Sequence, residues 1–134
     1  MLNEIYTAIQ SHLSLLDLAL QTSSKIKFFA SNSEVEQVLI ETENRERLVN
    51  VITQIQGSIE NKISALGPQD LQEDTLPILK SWFMDLANWS EKMVELDREN
   101  VELLNQKKED TTKEIATIFR NKELFKGYNQ SIKK

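Results

Sequence analysis

The chain has no cysteine, a single histidine, two prolines and three glycines among its 134 residues. Without cysteine there is neither a disulfide framework nor a thiolate metal site, which suits a reducing compartment. The lone histidine, His12, has Ile9 three residues before it, so the Glu-x-x-His pairs of di-iron bundles are missing, and zinc lacks ligands as well. Gly57, Gly67 and Gly127 stand far apart, so no glycine-rich loop can cradle a phosphate. No metal and no cofactor is expected. No run approaches the roughly 20 consecutive apolar residues of a membrane span, and Met1-Leu2-Asn3-Glu4 lacks the basic segment and apolar stretch of a secretion signal. These absences point to a cytoplasmic protein without membrane insertion. The net charge of −5 leaves no broad basic face for nucleic acid or anionic lipid. Carboxylates are plentiful, as at Glu41, Glu43, Glu46, Asp97, Glu99, Glu109 and Asp110. On helices, such runs are ordinarily solvated faces paired with nearby Lys or Arg. No catalytic set emerges, and the chain reads as a non-enzyme.

What is present favours helix. Glu, Lys, Leu, Gln, Asn, Ser and Ile dominate, and few positions can break a helix. Charged residues at 28% against aromatics at 7% mean much solvated surface around a thin core, as in slender helices rather than a round globule. The expected fold is all-α: an elongated antiparallel helical bundle of three long helices in one domain, residues 1–134. Helix 1, about residues 2–30, carries Leu2, Ile5, Ile9, His12 or Leu13, Leu16 and Leu20 at alternating spacings of three and four. Thr22-Ser23-Ser24 weakens it before Ile26, Phe28, Phe29 and Ala30 resume the stripe. Helix 2, about 34–66, starts at a predicted capping box of Ser33 and Glu36. Its heptad-like seam passes through Val35, Val38 or Leu39, Thr42, Arg45, Leu48 or Val49, Ile52, Ile55, Ile59, Ile63 and Leu66, and stops at Gly67-Pro68. Gly57 inside it suggests a close helix contact. Residues 67–75 read as a loop, and Asp74 or Thr75 caps helix 3, about 76–126, which tolerates Pro77 in its first turn. Trp82, Phe83, Leu86, Trp89 and Met93 have the heptad spacing of core packing rather than of a recognition strip. His12, beside the helix 1 stripe, reads as a core histidine.

The helix lengths do not match. At about 1.5 Å per residue, helices 1 and 2 span about 45–50 Å each and helix 3 about 75 Å, so helix 3 outruns its neighbours near Lys108. The overhang is apolar, with Ile115, Ile118, Phe119, Leu124, Phe125 and Tyr128 along it, and such a patch ordinarily marks an interaction surface. In an alternative, Thr111 with Glu114 caps a short fourth C-terminal helix after a break near 110, which folds back over the bundle. Lys122, Lys126, Lys133 and Lys134 make this end locally basic, which complements a helix dipole and could steer an acidic partner.

The run Leu96-Asp97-Arg98-Glu99-Asn100-Val101-Glu102-Leu103-Leu104-Asn105, followed by Ile115 and by Phe125-Lys126-Gly127-Tyr128-Asn129, resembles the flagellar type III export chaperones of the FlgN/FliT type. The long helices and the acidic-basic stretch from Glu43 to Val49 are similar to that family's layout as well. The resemblance implies a cytoplasmic helical chaperone that holds the C-terminal helical region of a secreted flagellar subunit, a hook-filament junction or filament-cap protein, and presents it to the export gate. By position, Leu103, Leu104, Ile115, Ile118, Phe119 and Phe125 would contact the client, and Tyr128 matches a C-terminal tyrosine used for gate docking. The residues alone also allow a structural coiled-coil or adaptor domain that forms a homodimer through the C-terminal apolar stripe.

Overall fold

The computed structural model describes the backbone of residues 2–71 and 73–133, and the side chains of residues 2–71, 73–113 and 115–117. It is all-α. Helix α1 spans Leu2–Ser31, α2 Val35–Ser64 and α3 Thr75–Lys133, with a short 3-10 turn, η1, at Pro68–Asp70. The side chains Ile5, Ile59 and Trp82 meet at one end and Ala30, Val38 and Leu103 at the other, so α2 runs antiparallel to both α1 and α3.

Helix α1 is the central element. Its backbone approaches those of both other helices closely, whereas α2 and α3 come near each other much less. Its buried residues, Ile5, Ile9, His12, Leu16, Ala19, Thr22, Ser23, Ile26 and Ala30, recur at the three-to-four spacing that keeps one stripe facing inward. Three apolar layers follow along the bundle. The first joins Ile5, Ile9, Ile59, Leu79 and Trp82, the second Leu16, Ala19, Ile52 and Met93, and the third Ile26, Ala30 and Val38 with Leu103 against them. Each fully buried Ile or Leu contributes about 1.5–3 kcal/mol relative to exposure, so the first two layers carry most of the packing energy.

A polar layer separates the second and third apolar layers. Thr22, Ser23 and Asn100 are buried there, and Asn100 Nδ2 donates to the Ser23 carbonyl at 3.1 Å. At the same level Arg45 of α2 makes a two-pronged pair with Asp97 of α3, at 2.5 and 3.1 Å. A buried Asn bonded to a single backbone carbonyl satisfies only one register, so this layer fixes how α1 and α3 slide on one another. The polar interruption at Thr22-Ser23-Ser24 is thus a working part of the interface, and α1 continues through it.

Several local expectations are corrected. Ser33 and Glu36 form no capping box: Glu34 occupies the N-cap of α2 without a side-chain hydrogen bond. Ser33 lies instead at φ 58°, in the left-handed region, and closes α1. Its amide bonds the Ala30 carbonyl at 3.1 Å and the Glu34 amide bonds the Phe29 carbonyl at 2.9 Å, which is the Schellman pattern at a helix C-terminus. A Cβ built on Gly57 meets nothing within 4 Å, so no helix approaches closely there. Val35 is 67% exposed and lies off the seam, while Val38 faces the core. The expected loop 67–75 contains η1, stabilised by the Gly67 amide bonding Asp70 Oδ2 at 2.9 Å. Helix α3 begins at Thr75, and Pro77 sits in the first turn, where its missing amide costs nothing. Helix α3 runs without a break past 110, so the short fourth helix does not form.

Candidate functional site

The candidate site begins where α1 ends and α3 does not. The α1–α2 turn stands against Leu104, Lys107, Asp110 and Thr111, and together they enclose a notch of about 350 Å³ floored by Ala30, Val35 and Val38. Past Lys107, which is half-buried, every described side chain of α3 is exposed. From Thr111 to Lys133 the helix projects about 33 Å beyond the hairpin, taking a rise of 1.5 Å per residue. The overhang therefore starts about three residues beyond Lys108, the position expected from helix lengths alone.

The residues singled out from the sequence divide into three groups. Leu103 is half-buried and packs on the Ile26, Ala30 and Val38 layer, so it belongs to the bundle and is not free for a partner. Leu104, the next residue, is turned about 100° around the helix, is 39% exposed and lines the notch. Ile115 is half exposed on the overhang. The side chains of Ile118, Phe119, Phe125 and Tyr128 lie outside the described residues. Other apolar side chains were not foreseen as part of this surface: Val35, Leu39 and Ile40 at the start of α2, and Val101 on α3, all at least half exposed. Their signal was present in the runs Val38-Leu39-Ile40 and Val101 to Leu104, which hold more apolar residues than one core stripe can absorb.

The polar surroundings are ordered by ion pairs along and between helices. Arg98 bonds Glu95 one turn before it and Glu102 one turn after it, at 2.7 Å for the latter. The two carboxylates hold the guanidinium proton more tightly, and Arg98 in turn holds Glu95 below its ordinary carboxylate value. All three are exposed, so they organise the surface and add little stability. Lys27 bonds Glu99 at 2.8 Å and ties α1 to α3 just below the notch.

A second groove, about 390 Å³, lies between α1 and α2, floored by Leu15, Leu18, Leu48 and Val51 with Lys25, Glu41 and Arg47 at its rim. Leu103, Leu104 and Ile115 take no part in its lining. Trp82 and Trp89 serve the core: Trp82 is buried, and Trp89 Nε1 donates to the Leu16 carbonyl at 2.9 Å. Phe83, by contrast, stays about half exposed. Among the described residues, no group of three or more His, Cys, Asp or Glu side chains is placed to hold a metal ion, and no helix is long and apolar enough to cross a membrane. Comparison with protein families, with curated proteins and with solved structures finds no match to this chain.

Proposed function

We propose that this chain is a cytoplasmic export chaperone that binds the C-terminal helical region of a secreted flagellar subunit and keeps it soluble for export. The observation that carries the proposal is the unpartnered end of α3, which leaves the α1–α2 hairpin with Leu104 and Ile115 exposed along it. A helix that presents apolar side chains at helical spacing without a neighbour is suited to grip an amphipathic helix of another protein, by packing apolar faces and excluding water. The resemblance at Leu96 to Asn105 and at Phe125 to Asn129 supplies the class of client. In this reading the bundle is a rigid stand, the notch and overhang are the client surface, and Tyr128 serves contact with the export gate. No catalytic step is involved.

The test is binding of the C-terminal helical peptide of a hook-filament junction or filament-cap subunit, measured by calorimetry with the chain and with Ile115→Asp and Phe119→Asp. Placing either carboxylate against an apolar contact costs about 2 kcal/mol or more, so each variant should bind at least about tenfold more weakly. Unchanged affinity in both would remove the overhang from the client surface. Failure of the unaltered chain to bind any such peptide would remove the chaperone reading itself.

A further inference from the structure

The first turns of α2 carry a surface for which the bundle provides no cover. Val35, Leu39 and Ile40 are 67%, 61% and 50% exposed. Leu39 and Ile40 lie about 100° and about 160° round α2 from buried Val38, while Val35, three residues before Val38, stands at the edge of the notch. Between residues 34 and 47 lie five glutamates and two arginines, and Arg45 is already engaged by Asp97. An apolar face set in negative charge matches a basic amphipathic helix.

The chain contains such a helix. After Thr112 there are six Lys or Arg and two Asp or Glu, a local charge of +4 in a chain whose total is −5. Ile115, Ile118, Phe119 and Phe125 recur there at helical spacing. This segment cannot reach the α2 face of its own chain, because α3 is unbroken from Thr75 to Lys133 and carries it away from the hairpin. It can reach a second copy. Its projection of about 33 Å exceeds the roughly 20 Å covered by residues 34–47.

We propose that the chain forms a reciprocal dimer in which the overhanging end of α3 from each copy lies along the first turns of α2 in the other. Two copies set head to head, with hairpin tips facing, make both contacts at once, as two-fold symmetry requires. Pairing of overhang with overhang is disfavoured, since it sets +4 against +4, whereas the exchange sets +4 against an acidic face. The dimer goes beyond client binding and stands independently of it, although both use the overhang, so a client would compete with the second copy.

The experiment is sedimentation velocity of the full chain without client, over a concentration series at low and high salt. Dimers that dissociate more readily as salt rises are expected, because exposed charge contacts are screened. Two double variants are then compared, Lys122→Glu with Lys126→Glu, and Glu36→Lys with Glu43→Lys. Each alone should weaken dimerisation at least about tenfold by setting like charges together, and mixing the two should restore a one-to-one pair, with helicity checked by circular dichroism. An unaltered chain that stays monomeric throughout overturns the proposal. So does undiminished dimerisation of the Glu36 and Glu43 variant, or a mixture of folded variants that remains monomeric. Were a variant to misfold, the salt series on the unaltered chain still decides, because a dimer insensitive to salt excludes the charge-matched contact. Client affinity does not enter any of these outcomes.

Discussion

The one histidine shows how a single buried residue sets a pH response. His12 is fully buried, its Nδ1 accepts the indole N–H of Trp82 at 3.1 Å, and the two rings meet edge to face at 5.5 Å. Nδ1 must therefore be unprotonated, which places the proton on Nε2. That nitrogen finds no partner of hydrogen-bond geometry, although the Ile52 backbone lies near enough to favour a proton there. Burial dominates and pushes the imidazole pKa down from its ordinary 6.5, while Ile52 and the more distant Glu60 oppose this. Well above pH 6.5 His12 is neutral in both folded and unfolded chains. Below it the unfolded chain takes up a proton that the core resists, so stability is lost as the pH falls through 6.5 toward the lower folded value. Urea midpoints should thus fall between pH 7.5 and pH 5.5, and His12→Gln should flatten that slope. A slope unchanged in the variant would assign the acid sensitivity elsewhere. Ser33 is a second case: an L-residue at φ 58° is strained where glycine is not. Ser33→Gly should stabilise the chain by about 0.5–1 kcal/mol, after allowing for the looser unfolded chain, read as a higher denaturant midpoint at constant slope.

At the level of elements, the three helices are held by unequal means. Helix α1 has core contacts along its whole length, whereas α2 buries only Val38, Ile52 and Ile59 fully. Helix α2 is therefore the element whose intrinsic helicity matters most. Gly57 sits in its interior with open space where a side chain would be. Gly57→Ala should raise stability by about 1 kcal/mol and the melting temperature by about 3–5 °C. A decrease would mean that some group closes on that position. Between α2 and α3, Arg45 and Asp97 bridge a pair of helices whose backbones stay apart, and the geometry is bidentate. Their pairing complements the Ser23–Asn100 contact, so both α1 and α2 are keyed to α3 at one level.

For the whole molecule the governing fact is a mismatch of lengths. Helices α1 and α2 have 30 residues each and α3 has 59, so hairpins of about 45 Å lie along a rod of about 90 Å. A bundle can bury only the part of α3 that lies beside the hairpin, and the remainder meets solvent or another molecule. Small-angle scattering of the monomer should give a maximum dimension of about 90 Å. A value near 60 Å would show the end of α3 folded back on the bundle. In the function and the dimer proposed above, the same mismatch sets client and second copy in competition, because each would offer apolar surface to the end of α3 that lies beyond the hairpin.

The residues alone determined the all-α class, the three long helices to within about two positions at every end but the last, where α3 continues to Lys133 instead of stopping near 126, and the excess length of α3, because helix formation and its stops are written in local composition and in a 3.6-residue repeat. They did not determine which of two adjacent apolar residues faces inward. Val38 rather than Leu39, Trp82 rather than Phe83, and Leu103 rather than Leu104 are the inward members. Neighbours in sequence differ by about 100° around a helix, and only the positions of the other helices select between them. The tertiary structure also decided that Ser33 closes α1 instead of opening α2, since the turn must bring α2 back against α1 and a left-handed residue accomplishes this. For the same reason the candidate site was half legible: its place on α3 follows from length, but its extension across the start of α2 arises only when the hairpin tip and α3 are set side by side.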